Sequence, residues 1–170
     1  MVGLEAIESR DVFRQNFDSF CTNFSLFLYS LSCGFFRFYA HMGVLHALEE
    51  NSSLNVKSCS GSSAGALVAG FLASGMRPRD MPDRVFAIKR ENIWDVGIGL
   101  GLLKGQLFQE ILEKQFPVQT FEECPISLGV TAYDLLGFKT NCITTGSLAS
   151  AVRASCTFPG LFQPVVIDGR

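Results

Sequence analysis

Hydrophobic positions along this chain alternate between a strand-like and a helix-like spacing, and that alternation sets out the expected fold. Residues 24–32, dense in Phe, Leu and Tyr, predict a buried strand. After a turn at 33–38, residues 39–50 place Met42, Leu45 and Leu48 on one helical face. Leu54, Val56 and the small residues up to Ser60 predict a second buried strand. Residues 64–73 predict a helix of small apolar residues, which Gly75 is placed to end in a left-handed conformation. Asp80 is the expected N-cap of a helix over 81–89, with Asp83 in its first turn. The glycine-spaced apolar stretch 96–105 predicts a flexible loop before a helix over 106–116, with a lid or membrane-touching role as its other reading. Strands are expected over 127–133 and 139–144, and a helix over 147–154 with Ser147 near its cap. Pro159 and Pro164 bracket a loop, and a last strand is expected from Val165. Residues 11–20 fit a short amphipathic helix. Strands alternating with helices indicate a layered α/β fold around a mainly parallel sheet.

Composition narrows the class. With 170 residues the chain has room for one domain and its core, and a 48% hydrophobic share with sixteen phenylalanines excludes disorder. A net charge of −2 argues against nucleic acid as a partner, because the basic face it needs is missing. Six cysteines are scattered without a C-x-x-C pair or a histidine at ligand spacing, so no metal is expected. The N-terminal residues carry acids where a signal peptide carries bases. The apolar run 24–36 is shorter than the ~20 residues of a membrane span. These features point to an intracellular protein, in the cytoplasm or peripheral on membranes.

The candidate chemistry lies between the second strand and its helix, where Gly61-Ser62-Ser63-Ala64-Gly65 forms G-x-S-x-G. A sharp strand-to-helix turn exposes the central serine, and flanking glycines give the backbone room for it. The helix that follows aims free N–H groups at the same spot, where they stabilise developing negative charge. A serine-rich loop leading into a core helix is the plainer alternative. Both histidines, His41 and His46, precede Ser63, whereas a Ser-His-Asp hydrolase of the α/β type has its histidine last. The base for Ser63 is therefore an acid, His41, or a residue the chain does not contain. The glycine-spaced stretch 96–105 fits neither a dinucleotide fingerprint nor a phosphate loop.

Three segments in order resemble the patatin-like phospholipases: residues 31–45 around Cys33-Gly34-Phe35-Phe36-Arg37, the G-x-S-x-G at 61–65, and Arg153-Ala-Ser-Cys-Thr-Phe-Pro-Gly-Leu-Phe162. The resemblance runs from about residue 24 to the end. It implies a three-layer α/β fold with a mainly parallel central sheet, its C-terminal part missing here, with residues 1–22 as an N-terminal extension and 23–170 as an incomplete patatin-like domain. It implies a serine lipid acyl hydrolase that works with a Ser-Asp dyad and no catalytic histidine. Ser63 is then the nucleophile and Gly61 and Gly65 form its elbow. Gly34, Phe35, Phe36 and Arg37 form the oxyanion loop, although only Gly34 and Arg37 keep the family's G-G-G-x-[RK]-G pattern. The substrate is a phospholipid or acylglycerol ester, and the setting a peripheral membrane or lipid-droplet surface; no cofactor is implied.

The family carries its aspartate in D-G-[GA], and Asp168-Gly169 is followed by Arg170. Asp168 is a candidate base. Asp-Gly after an apolar run is also a hairpin-turn signal, and the family's register favours the turn. On that reading the base lies past Arg170, and the 170-residue chain hydrolyses little or nothing. Asp134 matches a family position that looks structural, and Asp95 lies in a variable segment. A catalytically inactive lipid-binding or regulatory protein of the same fold is the alternative. A serine acyltransferase or thioesterase would need a later histidine.

Overall fold

The computed structural model describes residues 27–34, 37–50, 56–88, 90–167 and 169. Four strands form the main sheet, in the order β1 (Phe27–Leu31), β2 (Val56–Ser62), β4 (Ser127–Asp134), β5 (Lys139–Ile143). The pairs β1–β2 and β2–β4 are parallel, and β4–β5 is an antiparallel hairpin. Helix α1 (Arg37–Glu50) connects β1 to β2, and α2 (Ala64–Ala73) leaves the end of β2. Then follow α3 (Met81–Phe86), the short β3 (Gly101–Leu103), α4 (Gln106–Gln115), and, beyond the hairpin, α5 (Leu148–Cys156) and β6 (Gly160–Phe162). The fold is α/β with a mainly parallel sheet, as the sequence pattern indicates.

Helix α2 is the centre of the core. All ten of its residues are buried, as expected of a helix that is apolar all round. It lies between α1 and α5 over the sheet face that carries Cys59, Leu128 and Val130. Phe71 of α2 stacks on Phe116 after α4 with ring centroids 5.0 Å apart. Gly70 lets that ring and Val152 of α5 approach the helix backbone. The helix ends as expected: Gly75 is left-handed at φ +92°. The N–H of Gly75 bonds Leu72 O and that of Met76 bonds Phe71 O, the paired bonds of a Schellman stop. Ser147 caps α5 by accepting from the N–H of Ser150.

Four expectations are corrected. Asp80 occupies the N-cap position of its helix as expected, but its side chain makes no cap bond; the carboxylate accepts from Arg77 Nε at 2.8 Å instead, and the helix, entered through a 3-10 turn over Pro78–Asp80, ends at Phe86 rather than near 89. Helix α1 starts at Arg37, so the turn before it is shorter than 33–38. The described residues 165–167 form no strand; the strand is β6, inside the segment that Pro159 and Pro164 were expected to leave as a loop. The stretch 96–105 is a ribbon, in which Val96 bridges Leu103 and β3 pairs in parallel with β6 as a second small sheet. Expectations for 11–20, 24–26, 54–55 and Lys89 fall outside the described residues.

Candidate active site

The sheet register brings the first two motifs together before any side chain is considered. Leu31, last in β1, is paired with Gly61 near the end of β2, so the loop after β1 and the turn after β2 leave the same sheet edge side by side. At that turn Ser63 has φ +54° and ψ −119°, one of two non-glycine residues with positive φ among the described residues. Holding a serine there costs on the order of 1–3 kcal/mol, so the surroundings must enforce it.

The two glycines of the motif are part of that enforcement. A Cβ on Gly61 would run into the backbone of Gly65 and Ala66, and one on Gly65 into the carbonyl of Leu31. Neither obstacle is a flexible side-chain end. Strand, turn and helix close on each other, and on β1, only because both positions lack a side chain.

The third motif completes the enforcement. The N–H of Ser63 donates to Ser155 Oγ at 2.7 Å, and that hydroxyl donates to Thr131 O of β4, also at 2.7 Å. Next along α5, the thiol of Cys156 donates to Ser63 O at 3.3 Å. Burial pushes that thiol up to about 12, which keeps it a neutral donor. Consecutive side chains at the end of α5 thus hold both backbone polar groups of Ser63. Among the described residues no side chain is hydrogen-bonded to Ser63 Oγ. The N–H groups of Ala64 and Gly65 stand in the first turn of α2, where a helix offers unpaired donors and its positive dipole end.

Of the expected oxyanion loop, Gly34 and Arg37 are described; Phe35 and Phe36 are not, and neither is Asp168. Gly34 has φ +147°, and its carbonyl accepts from the N–H of Arg37 at 2.9 Å. The Arg37 chain folds back over Gly34, where a Cβ would collide with it, and its Nη1 donates to Ser32 Oγ at 3.3 Å. His41 Nε2 lies 3.0 Å from Ser32 O. A carbonyl only accepts, so Nε2 carries the hydrogen and the ring braces the loop after β1.

The other acids weighed as bases are engaged elsewhere. Asp95 accepts from the N–H groups of Gly105 (2.7 Å) and Leu107 (3.0 Å), holding the start of α4. Burial alone pushes its carboxyl up, but the backbone N–H groups of Leu107, Gly105 and Gln106 outweigh that and hold it below its ordinary value. Asp134 accepts from the N–H groups of Leu136 and Gly137, tying the β4–β5 turn. Arg153, first residue of the third motif, reaches the other way: Nη1 donates to Gln109 Oε1 and Nη2 to Lys104 O, joining α5 to α4 and the ribbon.

Sequence reading missed the part played by Ser155, Cys156 and Thr131. The first two were visible as members of a motif, but their partner lies 92 and 93 residues away.

The description "Patatin-like phospholipase" belongs to a family model that matches residues 29–170. Uncharacterized NTE family proteins of Mycobacterium bovis and of two strains of Mycobacterium tuberculosis are each 32% identical over 145 residues, covering 83% of this chain and 40% of the relative. The chain thus spans about 40% of the length of these relatives. Among solved structures, two of the ExoU–SpcU complex from the type III secretion system of Pseudomonas aeruginosa match with a TM-score of 0.53, at 20% and 21% identity. The matches cover 79% and 80% of this chain and 38% and 37% of the other, and they support the fold. With the family model matching almost the whole described chain, this protein belongs to the patatin-like phospholipase family.

Proposed function

We propose that residues 23–170 are part of the catalytic domain of a serine lipid acyl hydrolase in which Ser63 is the nucleophile. The observation that carries this reading is the backbone of Ser63 at φ +54°, between glycines that tolerate no Cβ and at the start of a buried helix. Such strain persists where the surroundings over-determine it, and a solvent loop has no need of it.

In the reaction, Ser63 Oγ attacks the carbonyl carbon of a phospholipid or acylglycerol ester while an aspartate takes its proton. The oxyanion is held by N–H groups of the loop at Gly34, Phe35 and Phe36 and by the start of α2. Collapse of the tetrahedral intermediate expels the alcohol with that proton and leaves the acyl group on Ser63. Water, deprotonated by the same aspartate, then releases the fatty acid.

In the register of the family motif Asp168-Gly169 corresponds to a hairpin turn rather than to the base, and on this reading the dyad aspartate lies past Arg170. Without a base the rate drops roughly 10²–10⁴-fold, so the 170-residue chain alone turns over little substrate. The test is phospholipid hydrolysis by the whole protein and by its Ser63→Ala and Asp168→Asn variants. Ser63→Ala is expected to abolish turnover and Asp168→Asn to preserve it. Turnover that survives Ser63→Ala contradicts the nucleophile; loss with Asp168→Asn makes Asp168 the base.

A further inference from the structure

The ribbon before α4 carries a run of exposed apolar residues. Val96, Ile98, Leu100 and Leu102 alternate with Gly97, Gly99 and Gly101. The apolar residues are 73%, 106%, 82% and 66% exposed, so none is screened by its neighbours. The glycines are held close to the body: a Cβ would meet the Lys104 side chain at Gly97, the Gln163 amide at Gly99 and the Phe162 backbone at Gly101. Gln163 Nε2 also donates to the carbonyls of Gly97 and Gly101. Bare apolar side chains therefore stand on a strip whose other positions are fastened down.

The ribbon is rooted at the proposed site. Arg153 donates to Lys104 O at its foot, and two residues on, Ser155 holds Ser63. A second apolar tip stands on the elbow edge of the main sheet. Because Thr131 is paired with Ser62, the turn after Asp134 projects past the elbow, and it carries exposed Leu136 and Phe138. The charges fit one kind of surface. The only acid within 94–103, Asp95, turns its carboxylate inward to the start of α4, and exposed Lys104 stands at the base of the ribbon; at the second tip Lys139 is paired across the hairpin with Asp134. Trp94, the sole tryptophan of the chain, is exposed beside the ribbon. Apolar tips, a tryptophan and the exposed Lys104 beside the ribbon match the layering of acyl chains below phosphate headgroups.

We propose that the ribbon 96–102, with the turn at 135–138, is the face by which the protein docks on a phospholipid bilayer, so that the elbow meets its ester at the interface. This rests on the lipid hydrolase reading for its purpose, but its test needs no catalysis. Tryptophan fluorescence of the whole protein, with its Trp94→Phe variant as the blank that isolates Trp94, is followed on titration with vesicles of ether-linked phosphatidylcholine, with and without anionic phosphatidylserine, and with brominated acyl chains as quenchers. The expected result is a blue shift with quenching by the brominated lipid. Ile98→Asp and Leu100→Asp, at fully exposed positions, should each weaken partitioning about tenfold or more. Lys104→Glu should remove the gain given by the anionic lipid. Sedimentation without vesicles is measured alongside. An unshifted Trp94, partitioning unaffected by both aspartate variants, or self-association abolished by them with no vesicle binding would overturn the proposal. Hydrolysis of a soluble short-chain ester by the whole protein is scored separately, so docking and catalysis can fail independently.

Discussion

The fate of Ser63 is decided by atoms that are themselves held. Ser155 Oγ accepts from the Ser63 N–H and donates to Thr131 O, so its hydroxyl has no freedom left. Ser155→Ala leaves that N–H without its partner and loosens the strained turn. In the whole protein kcat should fall about 10–100-fold with KM little changed, since a small misplacement of a nucleophile is enough. Ser155→Thr, which keeps the hydroxyl, should restore most of it. A variant that loses stability but keeps kcat would reduce Ser155 to a packing residue. The glycines give a sharper contrast. Gly65→Ala drives a methyl into the Leu31 carbonyl and should cost about 3 kcal/mol or more in urea unfolding. Gly43→Ala, in α1 with nothing within 4 Å of the new methyl, should stabilise by about 0.5–1 kcal/mol. The elbow was legible in the sequence because its requirement, room beside a turn, is local and written in glycine. The Ser155–Thr131 brace was not, because hydrogen bonds between distant strands and helices leave no spacing to read.

Among the elements, strands and helices with a buried face were legible: α2 from Ala64 to Ala73 and its stop at Gly75 match expectation, as do the bounds of β4 and β5 to within a residue. The ribbon was not. Its strand-like period is carried by glycine on the packed side and exposed apolar residues on the other, the reverse of the usual hydrophobic-in pattern, so it reads as a loop. At β6, apolar residues at 165–167 drew the strand assignment away from three residues whose pairing partner, β3, lies 59 positions earlier. Asp95 shows how the ribbon and α4 are joined, and it carries a pH signature. Its folded-state carboxyl is held below the ordinary value, so its contribution is complete above the usual carboxylate range and is lost as pH falls through the lowered folded value. Asp95→Asn should lower stability at neutral pH and flatten the acid limb of the stability–pH curve. An unchanged acid limb in the variant would remove Asp95 from that role.

For the molecule as a whole, core and site share one helix. α2 presents its first turn to Ser63 and its other residues to the sheet, α1 and α5, so the stability of the core and the precision of the elbow depend on the same packing. Phe71, fully buried between α2 and Phe116, sits far along that helix from Ser63. Phe71→Ala should cost about 3–5 kcal/mol and impair Ser63 reactivity together with it; normal reactivity in a strongly destabilised variant would show that the elbow is held independently of the core. The α/β class and the family were legible in the sequence from alternating patterns and three ordered motifs. The joining of those motifs at one sheet edge came only with the pairing of Leu31 with Gly61 and the hydrogen bonds of Ser155 and Cys156 to the Ser63 backbone.

The central claim, that the strained Ser63 is a nucleophile, is tested most directly by treating the whole protein with a fluorophosphonate probe and mapping the adduct by mass spectrometry. The account predicts a single adduct, on Ser63, absent from Ser63→Ala and slowed in Ser155→Ala. Labelling at another serine, or at a rate unchanged by Ser63→Ala, would contradict it.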